Sequence, residues 1–283
     1  MARILAGIGV STALAAWSLE ATGPAETLPD RQGPSASLAA LRAWVGKAQP
    51  EMLVLVHPAH PDPSFSDIRP TLAIGIAETF PILTETGESR PQPAVPGHPL
   101  AESLARALVA ADFDLAIRRV LPLPQEAAGA LRLLGPPWVA PVVPIAVNTS
   151  TAPLPRPARL FALGRALRHA LPALPSEGRV LILAVGGLAQ GPAAGSAGGA
   201  GAPAAAEFLD PLLDRPALLA ARSAADFAAG PAGVEGMIWL AMRAALPPQV
   251  VCRCRIAHAP HGALLALLLL EPEPAGSTAR GAA

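Results

Sequence analysis

Apolar positions along this chain cluster into short runs. Strand candidates fall at residues 3–8, 52–56, 71–74, 114–120, 142–146, 179–185 and 263–270. Several are continuous apolar runs rather than alternating ones, the pattern of strands covered on both faces. Between them lie segments with helical spacing. Residues 37–48 (SLAALRAWVGKA) place Leu38, Leu41 and Val45 on one face, and 99–111, 158–171 and 234–245 behave likewise. Strands alternating with helices predict an α/β fold: a single domain with a central, mostly buried β-sheet flanked by helices. The domain is expected to span residues 1–271, with 272–283 a disordered tail.

The punctuation between these elements is rich in Gly, Ala and Pro. Residues 191–206 (GPAAGSAGGAGAPAAA) are of low complexity and predict a mobile loop, because Gly maximises backbone freedom and Ala offers little area to bury. Residues 85–97 are polar and proline-containing and predict another loop. Neither reads as a domain boundary. The opening MARILAGIGVSTALAAW admits two readings, a signal peptide or a buried first strand followed by a loop. Its weak basic start favours the strand. The apolar run at 264–270 is too short to cross a bilayer, which takes about 20 residues, and also reads as a buried strand.

Composition narrows the function classes. The 283 residues are 52% hydrophobic, enough for a sizeable core, and 21 basic residues balance 21 acidic ones. A zero balance without basic clusters or interleaved aromatics gives no pull toward nucleic acid or anionic membranes. The two cysteines, Cys252 and Cys254, read as small strand residues in a reducing, cytoplasmic compartment rather than a metal or redox pair. His258 and His261 have a spacing that could suggest a metal pair on a helix, but Pro260 between them favours a loop.

Chemistry concentrates in residues 53–80, where an apolar strand runs into His57 and His60, then a proline-rich loop, then a second strand leading to Gly75. This stretch resembles the iron-site region of the class III extradiol ring-cleavage dioxygenases, the LigB-like family of the protocatechuate 4,5-dioxygenase catalytic subunit. Further matches occur in order along the chain. Gly233-Val234-Glu235-Gly236-Met237-Ile238-Trp239 is similar to a family G-x-E-x-x-x-W segment. Residues 141–148 and 161–168 resemble two more family runs. Gly97-His98-Pro99 opens a helix, where His98 is expected to be structural.

The resemblance implies a fold, an activity and a site. Such enzymes hold Fe(II) between two histidines and a carboxylate on one face of the metal, leave the other face to a catecholate and dioxygen, and use a further histidine as acid and base. His60 falls at one histidine ligand position and Glu235 at the carboxylate position. At the other ligand position stands Thr12, a neutral hydroxyl. The run 186–190 keeps the family's glycine pair, Gly186-Gly187, but Gln190 occupies the acid/base position and cannot shuttle a proton near neutral pH. Residues 124–126 fall where a further pocket histidine is expected. His57 could replace a missing ligand, although a packed strand-end histidine is the plainer reading. The resemblance therefore implies an Fe(II)-dependent extradiol dioxygenase whose iron binding is weak or absent and whose catalysis is impaired. The alternative is a non-catalytic subunit or binding partner of an active dioxygenase. Either implies a homo-oligomer, or a hetero-oligomer with an intact paralogue, and a phenolic small molecule as candidate ligand.

Overall fold

A computed structural model describes residues 1–20, 34–59, 69–83, 95–135, 138, 140–175, 178–188, 201–258 and 264–274. Its centre is an eight-stranded sheet. In chain order the strands are β1 (Arg3–Val10), β2 (Met52–Pro58), β3 (Leu72–Gly75), β6 (Ala116–Arg118), β7 (Val142–Val147), β8 (Arg179–Val185), β9 (Val250–His258) and β10 (Leu265–Pro272); β4 (Thr79–Phe80) and β5 (Val95–Pro96) form a separate two-stranded ribbon. The spatial order is β6-β3-β7-β2-β8-β1-β10-β9. β1, β8, β2 and β7 run parallel in the middle, while β10 and β3 flank them antiparallel. The two outermost strands differ in their exposure to pairing. β6 is only three residues long, and β9 carries Arg253 and Arg255 on its exposed positions, two devices that blunt a sheet edge.

Period-2 alternation divides each central strand between two cores. Val54, Val56, Val180 and Ile182 face one cluster, and Leu53, Leu55, Leu181 and Leu183 face the other. The first cluster takes α3 (Ala101–Ala110), α5 (Pro157–Ala173), α6 (Gly201–Asp214), α7 (Pro216–Ala220), α8 (Ala224–Ala229) and α9 (Ile238–Ala245). The second takes α1 (Thr12–Glu20), α2 (Pro34–Ala48) and α4 (Gln125–Leu134). Burial on both faces is why the strands read as unbroken apolar runs. Helix α9 is buried on every side. It reaches the sheet over Gly7 and Gly9, where an added Cβ would lie 2.5 Å from Met242 and from the Trp239 ring. On its other flank it meets α5 at Gly164, where a Cβ would lie 2.2 Å from the Ala241 carbonyl oxygen.

Several expectations are corrected. Residues 201–206 are helical and open α6, whereas 191–200 lie outside the described residues. Alanine is the best helix former, and the segment leads into Phe208, Leu209 and Leu212, which are buried, so the helix has both propensity and a face to pack. The end of the 85–97 loop forms β5. The predicted 234–245 helix divides into a 3₁₀ turn, Val234–Met237, and α9. β1 sits inside the sheet between β8 and β10. β10 continues to Pro272, and the Glu273 N–H donates to the Gln249 carbonyl; residues 275–283 lie outside the described set. The two thiols are free, with Cys254 buried and Cys252 exposed, because a register shift beside Arg253 interrupts the alternation of β9.

Two polar groups support this frame, Arg243 buried and His98 half-buried. Arg243, 3% exposed at the end of α9, donates to the carbonyls of Leu213, Pro247 and Pro248, a cation placed at a helix C-terminus. His98 precedes α3, and its Nδ1 accepts the Leu100 N–H at 3.1 Å. Burial holds its imidazole below the ordinary value. Below about pH 6.5 the unfolded chain therefore takes up a proton that the folded chain refuses, so stability falls as pH drops through that window. Denaturant midpoints measured from pH 8 to pH 5 should fall less for His98→Asn than for the native chain; parallel curves would show that His98 contributes nothing to the slope.

Candidate functional site

The carboxyl ends of β1, β2, β7 and β8 open on one edge of the sheet, the usual place for a site in an open α/β fold. Polar residues or glycines succeed three of the strands there: Ser11-Thr12 after β1, Asn148-Thr149 after β7, and Gly186-Gly187 after β8. The 3₁₀ turn ahead of α9 brings Glu235 to the same edge.

Thr12 and Glu235, 223 residues apart in sequence, meet directly. The Thr12 hydroxyl donates to Glu235 Oε2 at 2.9 Å, and the Gly187 N–H donates to the same oxygen at 3.1 Å. Pro58 closes in from the end of β2. A Cβ placed on Gly186 would lie 3.3 Å from the Glu235 Cβ and 3.4 Å from Pro58 Cγ. Three of the chain segments expected at an iron site thus converge at one point.

Each participant is held from behind. Ser11 is fully buried; its hydroxyl donates to the Leu264 carbonyl at 3.1 Å and accepts the N–H groups of Ala266 at 3.0 Å and Leu14 at 3.3 Å. It caps α1 and ties the residue before Thr12 to β10. The turn after β8 runs through positive φ at Gly186 (138°), Gly187 (76°) and Leu188 (61°). Trp239 Nε1–H donates to the Gly186 carbonyl at 2.7 Å, and the Leu188 N–H donates to the Ala232 carbonyl at 2.7 Å. A Cβ at Gly187 would lie 2.6 Å from the backbone nitrogen of Gly236, so glycine is required there on two counts, space and φ.

His57, one residue before the end of β2, is buried, 1% exposed, with Nδ1 2.9 Å from the Pro58 carbonyl oxygen. That contact sets Nδ1 as the protonated nitrogen. Alternation puts its side chain on the face shared by Leu53 and Leu55, opposite the one covered by α9. Asn148 organises the loop after β7. Its amide donates to the carbonyls of Thr151 and Pro153, and its Oδ1 accepts from the N–H groups of Ser150 and Thr151. His60, Gln190 and His261 lie outside the described residues. Gln125 and Glu126 begin α4.

The geometry bears on a metal. Among the described residues no three His, Cys, Asp or Glu side chains gather to hold an ion. Where the resemblance asks for an imidazole at position 12, the residue is a hydroxyl, and that hydroxyl spends its proton on the carboxylate. Imidazole suits Fe(II), whereas a neutral alcohol adds little. The donor set at positions 12 and 235 therefore does not fit the two-histidine, one-carboxylate site. Ser11 and Trp239 are supports that sequence reasoning misses. A serine at the end of an apolar strand is a helix-cap signal that could have revealed the first; the second emerges only from the fold.

Comparison with known proteins agrees with this architecture. The family model for the catalytic LigB subunit of aromatic ring-opening dioxygenase matches residues 18–261. The match begins after Thr12. A gallate dioxygenase of Pseudomonas putida is 32% identical over 193 residues, covering 66% of this chain and 57% of that protein. A 2,3-dihydroxyphenylpropionate/2,3-dihydroxicinnamic acid 1,2-dioxygenase of Paraburkholderia xenovorans is 34% identical over 155 residues, covering 54% of this chain and 48% of that protein. The chain spans about half the length of these curated relatives. Among solved structures, an uncharacterized protein from Escherichia coli K12 superposes with a TM-score of 0.58 at 16% identity, covering 94% of this chain and 99% of that one, a likeness of fold alone.

Proposed function

Because the chain belongs to the family of the catalytic LigB subunit of aromatic ring-opening dioxygenases, we propose that it keeps the frame of an Fe(II)-dependent extradiol dioxygenase while being impaired in ring cleavage. The observation that carries this reading is the Thr12 hydroxyl donating to Glu235 Oε2 at 2.9 Å. A family ligand position is taken by a group that binds the carboxylate instead of a metal. His60 and Glu235 are the residual ligand positions of this proposal, with Thr12 at the lost histidine. Gln190 at the acid/base position adds a second loss. Removing a general acid or base typically costs about 10²–10⁴-fold in rate, and weak iron binding compounds it.

An impaired chain of this fold has a natural place beside an intact paralogue, so a hetero-oligomer is the partner arrangement this reading implies, with a phenol as the candidate small ligand. The charge balance favours neither nucleic acid nor an anionic surface. No helix among the described residues is long and apolar enough to cross a membrane.

The test is oxygen uptake by the purified chain supplied with Fe(II) under anaerobic loading, with protocatechuate, gallate and aminophenols. The expected rate lies at least about 10²-fold below that of the Pseudomonas putida gallate dioxygenase assayed alongside. Uptake within about tenfold of that enzyme on any of these substrates, less than loss of a single acid/base group would allow, would reverse the proposal.

A further inference from the structure

We infer that Thr12 and Gly187 have taken over the place of a metal ion as partners of the Glu235 carboxylate, turning a ligand position into a cation-resistant polar tie between β1, β8 and α9. The inference rests on the impaired-site reading and specifies what the altered site does.

Glu235 needs a partner. It sits half-buried at the junction of three elements, and an ionised carboxylate removed from water is costly unless it is paired or hydrogen-bonded. Two donors converge on one oxygen, at 2.9 Å from Thr12 and 3.1 Å from Gly187. Hydrogen bonds to a charged acceptor are about twice as strong as neutral ones. The tie joins the start of α1, the turn after β8 and the 3₁₀ turn before α9.

Both donors are placed without help from any ion. Thr12 comes directly after Ser11, whose hydroxyl is fixed by three hydrogen bonds to α1, β10 and the Leu264 carbonyl. As a β-branched residue Thr12 also has few rotamers to lose. The Gly187 N–H is aimed by a left-handed backbone, and Trp239 Nε1–H clamps the preceding carbonyl at 2.7 Å. An ion approaching Glu235 Oε2 competes with the Thr12 and Gly187 protons for the lone pairs of that oxygen. The hydroxyl thus stabilises the carboxylate and competes for it at once. A threonine serving only to pack the start of α1 would do neither.

A double-mutant cycle with a cation titration tests this. Thr12→Val removes the O–H at nearly constant volume, Thr12→Ser keeps it, and Glu235→Ala removes the acceptor. In EDTA, Thr12→Val should raise the unfolding equilibrium constant by about 10–100-fold, the range of a hydrogen bond to a charged group. The same change made on Glu235→Ala should cost far less, and Thr12→Ser should stay close to the native chain. In a Co(II) titration the less stable Thr12→Val should bind the ion more tightly than the native chain, by up to about 10–100-fold, the worth of the same hydrogen bond to a charged group. Thr12→Ser should not. If Thr12→Val does not fold, Thr12→Ala takes its place in every arm. Additive stability changes, or tighter Co(II) binding by the native chain than by Thr12→Val, would overturn the inference. These results stand apart from the activity assay: rapid oxygen uptake sinks the impaired-site reading, whereas an additive cycle in a chain without uptake sinks the tie alone.

Discussion

Trp239→Ala is expected to lower the free energy of unfolding by about 3–5 kcal/mol, the range for removing a large aromatic from a packed core. Trp239 is fully buried, and its ring lies over Gly9, where a Cβ would come within 2.5 Å of it. It also packs edge-on against Phe208 with ring centroids 6.0 Å apart. The cavity would open between β1 and α9, which cannot collapse while α5 and the sheet hold α9 on either side. Trp239→Phe separates packing from hydrogen bonding. It keeps most of the volume but leaves the buried Gly186 carbonyl without its 2.7 Å donor, which should cost about 1–3 kcal/mol. Guanidinium unfolding monitored by far-ultraviolet circular dichroism measures both. A loss below about 1 kcal/mol for Trp239→Ala, well short of the expected range, would mean that the ring is not the keystone of the site's rear wall.

The second large effect is at Gly187. Two independent penalties apply to Gly187→Ala. The residue has φ of 76°, a left-handed conformation that costs a side chain about 1–2 kcal/mol. Its new Cβ would also lie 2.6 Å from both the nitrogen and the Cα of Gly236. Those are backbone atoms, so relief requires the 3₁₀ turn to move, at about 1–3 kcal/mol more. The two together give a loss of about 2–5 kcal/mol. Gly46 supplies the opposite control. It lies near the end of α2, and a Cβ there meets nothing within 4 Å. Gly46→Ala should stabilise the chain by up to about 1 kcal/mol through helix propensity. Equal effects at the two glycines would show that the positive φ and the close approach at Gly187 carry no cost.

The sheet was legible because burial on both faces leaves a strong mark. β2, β7 and β8 are almost unbroken apolar runs, and their observed bounds differ from expectation by two residues or fewer. β9 was harder to read. Its charged arginines on exposed positions and its register shift break both the apolar run and the alternation. Helix α1 escaped for a related reason, whereas α4 does carry an apolar face, in Ala127, Leu131 and Leu134. They pack on each other through small residues, with Gly129 so near the Ala15 carbonyl oxygen that a Cβ would lie 2.1 Å away. Alanine and glycine contacts of that kind leave little hydrophobic pattern. α6 was hidden by its glycine- and alanine-rich start.

The site was half legible. Resemblance pointed to Thr12 and Glu235, and the parallel pairing of β1 with β8, together with α9 lying over β1, explains why two residues so far apart in sequence meet. The hydrogen bond between them could not be read from the sequence, since a threonine at a strand end has many possible partners. The supports were also invisible. Trp239 reaches Gly186 across 53 residues, a contact that exists only once α9 is laid across the ends of β1 and β8.

The most direct measurement is an anaerobic Fe(II) titration by calorimetry, run on the native chain and on Glu235→Gln. The hydrogen-bonded Thr12–Glu235 pair predicts no saturable heat at equal micromolar protein and metal, and no difference between the two proteins. One equivalent of Fe(II) taken up by the native chain and lost in Glu235→Gln would contradict it.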